Sequence, residues 1–179
     1  MRSTLVIAAL TLGIATPALA QMKEGTYSGT YSSYGTSKAM VIGKERLLIN
    51  FDENGLTLAN GFLDHMTWHC WGLADFMNGT GQAHGSCAGT DPAGDQLVLD
   101  FGPDEKHAPD QKTWNGSARF TSGTGKFAGV SGVHTYAIHG NEFRPGPDGT
   151  YVNYATFEGH YKLPSPEATG STAPPTTSK

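Results

Sequence analysis

The dipeptide Asn78-Gly79 lies midway between the chain's only two cysteines, Cys70 and Cys87, and that placement restricts the fold more than any other feature of the 179 residues. Asn-Gly is a preferred pair for a two-residue type I′ turn, because both positions need φ above zero. A hairpin built on this turn sets Met77 opposite Thr80 and, counting outward, Cys70 directly opposite Cys87. That position is a non-hydrogen-bonded pair, where Cα atoms lie about 4.5 Å apart, close enough to bridge. In an exported protein two cysteines favour a disulfide, and closing a loop of this length is worth about 3 kcal/mol in the chain-entropy account.

The same register sorts the side chains of the hairpin. Met66, Trp68, Cys70, Gly72, Ala74 and Phe76 share one face with Gly81, Ala83, Gly85, Cys87 and Gly89, so bulky groups lie over glycines, the pattern of a face packed indoors. Carrying the register through "DPAG", with Asp91 opposite Asp95, adds Leu97, Leu99 and Phe101 to that face. His65, His69 and His84 fall on the other face. A mixed cysteine and histidine zinc site would need both faces at once, so no metal is expected. Redox chemistry of the thioredoxin type needs C-x-x-C, which is absent.

The ends carry different information. A single arginine in "MRST", the apolar run "LVIAALTLGIA" and the small-x-small pattern Ala18-x-Ala20 read as a secretory signal cleaved after Ala20, with the protein secreted or periplasmic. The apolar run is too short for a membrane anchor. From Pro164 onward "PSPEATGSTAPPTTSK" reads as a disordered tail rich in Pro, Thr and Ser. The region between, 21–163, is one domain of roughly 140 residues. With 12 basic and 16 acidic residues in the whole chain and no basic stripe, nucleic acid is not an expected partner.

No window carries apolar residues at helical spacing, and the domain reads as all-β. Candidate strands are Thr26–Tyr34, Ala39–Gly43, Arg46–Phe51, Leu56–Asn60, Leu63–Phe76, Gly81–Thr90, Asp95–Phe101, Thr113–Thr121, Lys126–Gly140 and Tyr151–Leu163, separated by turn clusters such as "DENG", "DPAG" and "RPGPDG". Such a series without intervening helices predicts an antiparallel β-barrel of about eight strands, calycin-like, since closure removes exposed edges.

"SGTGKFAGVSG", Ser122 to Gly132, fails the spacing of both the Walker A loop and the dinucleotide fingerprint, and Phe127 stands where a magnesium-binding hydroxyl belongs. It reads as a tight connection in which Lys126 has no task of its own. No cofactor is expected. Preceded by "WNGSARF", this stretch resembles the Gly-Thr-Gly-Lys-Phe turn and following strand of dirigent proteins and, more loosely, of allene oxide cyclases. The "CAGTDPAGD" hairpin is similar to one met in secreted bacterial proteins of unassigned function. The resemblance covers Thr113 to Tyr136 and implies an eight-stranded antiparallel barrel with an apolar cavity. It implies no catalytic set, because the acidic and arginine cavity residues of the one family and the glutamate and asparagine of the other match no defined positions here.

The inward hairpin face and the last strand supply the candidate site. Met66, Trp68, Phe76 and Tyr154 are the expected lining for a small apolar or aromatic ligand. On "YVNYATFEGHYKL", Tyr154, Glu158 and His160 share one face. If that face points inward, Glu158 and His160 form an acid/base pair for an isomerase or cyclase. If Phe157 faces the core instead, both are solvated. His134 alternates with Tyr136 on the preceding strand and reads as a hydrogen-bonded structural histidine. A third reading is a packed barrel that serves as an interaction module or homo-oligomer.

Overall fold

The computed structural model describes residues 23–102, 106–140 and 145–164. The expected signal segment and, apart from Pro164, the expected tail lie outside the described residues. Eight strands, β1 (Lys23–Ile42), β2 (Arg46–Ala59), β3 (Thr67–Met77), β4 (Thr80–Thr90), β5 (Gln96–Phe101), β6 (Thr113–Gly123), β7 (Ser131–Gly140) and β8 (Thr150–Leu163), form a closed barrel in sequence order. Every neighbour is antiparallel, and β8 pairs back onto β1.

The hairpin at the centre of the sequence has the register its turn demands. Asn78 and Gly79 take φ of 53° and 79°, Met77 faces Thr80, and Cys70 faces Cys87. The two cysteines are bonded, with Cα atoms 4.0 Å apart. On the next hairpin the Asp91 amide donates to the Asp95 carbonyl, and Leu97 and Leu99 are buried inside as the pattern requires. Trp68 lies over Gly89 and Phe76 over Gly81, where a β-carbon would fall 2.8 and 2.6 Å from the respective rings.

Four expected strand limits are corrected. Residues Thr26–Tyr34 and Ala39–Gly43 belong to one long strand, and "DENG" is no turn but the middle of β2. Gly55 is there for another reason: the Tyr31 ring from β1 lies across it, and a β-carbon would sit 2.2 Å from the ring. Conversely, the expected strand from Leu63 begins only at Thr67. Before it the chain turns through His65, at φ 55°, with the Thr57 amide donating to the Met66 carbonyl and His65 returning a bond to Thr57. Lys126 lies in one turn of 3-10 helix, Gly125–Phe127, ahead of β7.

The interior divides into two packed groups. At one end Phe62 and Leu63 from the β2–β3 turn meet Tyr27, Phe120, Phe127 and Val130, with Phe62 stacked on Tyr161 at 3.9 Å. At the other, Ile49, Ala74, Phe76, Trp114 and Tyr151 pack together. The chain following β5 folds back over this second end. There His107 exchanges both backbone hydrogen bonds with Gly81 at 2.8 Å.

Lys126 has a task the sequence does not disclose. Its ammonium lies 2.5 Å from the Asp91 carboxylate, whose side chain is 2% exposed, and its amide donates to Asp95 at 3.1 Å. Asp91 also accepts from the amides of Ala93 and Asp95, both at 2.9 Å. The pair ties the β4–β5 turn to the glycine-rich connection. The Lys126 ammonium holds the Asp91 carboxyl below the usual carboxylate range. Lys126→Ala therefore lowers the melting temperature at neutral pH, and Lys126→Arg restores most of it. The difference shrinks as pH falls and Asp91 takes up a proton. Equal melting curves for wild type and Lys126→Ala at neutral pH would show the contact to be idle.

Candidate site inside the barrel

Between the two packed groups the barrel retains a cavity of about 110 Å³. A single water needs on the order of 10–15 Å³ of such room, so the space accommodates several waters or one small organic molecule. Its wall is mostly apolar and aromatic, including Tyr31, Phe51, Trp68, Trp114, Tyr136 and Phe157. Three titratable side chains also reach it: Glu53, His107 and His134.

Glu53 enters because β2 alternates without interruption. Ile49, Phe51, Glu53 and Thr57 all point inward, and Glu53 is only 7% exposed. The Ser33 hydroxyl donates to its carboxyl at 2.9 Å, and the side chains of Tyr31, Tyr151 and Asn153 complete a ring of neutral partners. Burial nevertheless raises the carboxyl above its ordinary range, outweighing those hydrogen bonds. This residue escapes the sequence reading because Asn54-Gly55 imitates a turn. The alternation from Ile49 through Phe51 is the signal that finds it.

His134 is buried between Tyr27 and Phe157. Its Nδ1 lies 3.2 Å from the Tyr27 hydroxyl, and its ring stacks on Phe157 at 5.0 Å. Desolvation pushes the imidazole down to about 4 and the Tyr27 phenol above its ordinary range. His107 stacks on Trp114 at 4.2 Å, and its Nε2 lies 3.0 Å from the Asn115 carbonyl. A carbonyl only accepts, so Nε2 carries the proton, and in the neutral ring Nδ1 is the acceptor.

The expected site residues separate into three groups. Trp68 lines the cavity, with its indole N–H donated to Thr57 Oγ1 at 3.2 Å. Met66 and Phe76 are buried inside the barrel but belong to the packed ends, not the cavity wall. Tyr154, Glu158 and His160 face outward, with Tyr154 54% exposed and stacked on His139 at 4.8 Å. The face of β8 that points inward is the one with Tyr151, Asn153, Ala155 and Phe157, because it carries the apolar bulk and because Asn153 reaches Glu53. Glu158 and His160 are thus solvent-facing and form no acid/base pair inside the barrel. His65, His69 and His84 are on the exterior, where His65 and His69 pair with Asp64 and Asp52.

No family model matches the sequence, and no curated protein matches it. Among solved structures the chain is similar to the pterocarpan synthase dirigent protein, with 8% identity and a TM-score of 0.46 over 87% of this chain and 100% of that one.

Two variants test the electrostatics of the interior. The His134 imidazole refuses a proton that the unfolded chain accepts, so its neutral burial supports the fold above about pH 6.5 and loses that support as pH falls towards 4. The loss is on the order of 3 kcal/mol across that window. Urea unfolding at stepped pH measures it, and His134→Asn should flatten the curve relative to wild type. For Glu53 the sign is opposite: a raised carboxyl favours the fold at low pH and weakens it once pH rises through the folded-state value. Glu53→Gln, which keeps the shape, is therefore expected to melt no lower than wild type at pH 7. A large drop in melting temperature would mean that the ionised carboxylate stabilises the barrel.

Proposed function

We propose that the protein is an exported, dirigent-like cavity protein that binds a small, largely apolar or aromatic molecule inside its barrel. The observation that supports this reading is the unfilled space between two well-packed ends. Interiors are normally packed to near-crystalline density, and leaving room of this size forfeits dispersion contacts on every side. Concave, mostly apolar pockets with a few convergent polar groups are the usual form of small-molecule sites. The bonded cysteines are compatible with an oxidising compartment, in keeping with export by the N-terminal signal.

Trp68 and Trp114 both line the cavity, so an occupant should alter tryptophan emission. A ligand at a hundred times its dissociation constant should stabilise the fold by about 2.7 kcal/mol. The control variant is Ala83→Leu, which extends a side chain from the cavity wall. It is expected to abolish both the thermal shift and the emission change while leaving the protein folded. A screen of apolar and aromatic compounds that yields neither signal with wild type would remove the cavity reading.

A further inference from the structure

Resting on that reading, we propose that the cavity takes a small organic cation, an amine bearing one ring, with Glu53 as its counter-ion. Among the described residues the interior holds a carboxyl group and no lysine or arginine to match it. Every described lysine and arginine lies on the exterior of the barrel. Arg46 pairs with Asp75, Lys126 with Asp91 and Lys162 with Glu24, and none of these pairs includes Glu53. The partners of Glu53 are hydroxyls and an amide, which satisfy lone pairs without cancelling charge.

The rest of the wall suits the same occupant. Trp68, Trp114, Tyr31 and Tyr136 line the space, and aromatic rings attract ammonium groups through the ring quadrupole. Trp68 already donates its N–H to Thr57, so its remaining means of recognition is the ring face. Near neutral pH the His134 ring is uncharged and supplies no rival cation. A carboxylate ligand, such as a fatty acid, would bring an anion into a space where burial already disfavours the charged form of Glu53, with no lysine or arginine among the described residues to pair it. A neutral ligand gains no more from the carboxyl than a hydrogen bond, whereas an ammonium group supplies the charge partner that burial withholds from it. An amine meets both the acid and the rings.

The test uses three probes of similar size, benzylamine, benzyl alcohol and benzoate, titrated into the full oxidised chain at pH 7 by calorimetry and thermal shift. Benzylamine is expected to bind at least tenfold tighter than benzyl alcohol, with benzoate the weakest. In Glu53→Gln the amine should fall to the level of the alcohol, while the alcohol keeps its affinity, which shows that the variant cavity is intact. Benzyl alcohol binding as tightly as benzylamine, or an unchanged ratio in Glu53→Gln, would overturn the inference and leave the cavity reading standing. If none of the three binds, and the wider screen is also silent, both fall together.

Discussion

The structure depends first on the ladder between β1 and β8, which runs from Lys23 opposite Leu163 to Thr36 opposite Thr150. This pairing joins the two ends of the described chain and turns a meander into a barrel. Without it two long strands would present open edges and their inner faces would meet water. Closure also fixes what alternation means. Once the sheet is a cylinder, every second residue is committed to a confined interior, including polar ones such as Ser33, Glu53 and Asn153. The polar surroundings of Glu53, with the Ser33 hydroxyl donating to it, follow from that commitment, since a buried polar atom without partners costs more than the bond it would make.

The parts of the fold legible in the sequence are those governed by local chemistry. The β3–β4 register follows from the Asn78-Gly79 turn and from a period of two, and both are properties of a few adjacent residues. The same dipeptide at Asn54-Gly55 has a different cause, the ring of Tyr31 more than twenty positions away, and sequence spacing cannot separate the two. The facing of β8 is similarly open in the sequence. Tyrosines occur on both of its faces, and the inner one is the face with Ala155 and Phe157, where Asn153 also reaches Glu53 over β1. Lys126 offers the third example: its partner Asp91 is brought close only when two connections meet at one end of the barrel. The candidate site therefore shifts from Tyr154, Glu158 and His160 to Glu53, His107 and His134, with Trp68 the expected residue that stays.

The interior shows two opposing solutions to burying a titratable group. His134 is kept neutral by desolvation and satisfied by a phenol, so at neutral pH it adds polarity without charge. Glu53 is given several donors but no cation, which leaves its charge state sensitive to whatever enters the cavity. A barrel selected for stability alone would fill this space with aliphatic side chains, as small closed barrels commonly do. The retained carboxyl and the retained space occur together, and each makes sense of the other.

The disulfide has a consequence beyond cross-linking two strands. Cys70 and Cys87 point inward and both line the cavity wall, with little exposure from outside. Thiol–disulfide exchange requires an attacking thiolate to reach a sulfur atom along the S–S axis. Here both sulfur atoms face the barrel interior, so the approach runs through the cavity. The bond is therefore guarded by access. An occupant of the cavity would act as a stopper on that route, so the oxidation state of the clamp and the filling of the interior are tied together by geometry.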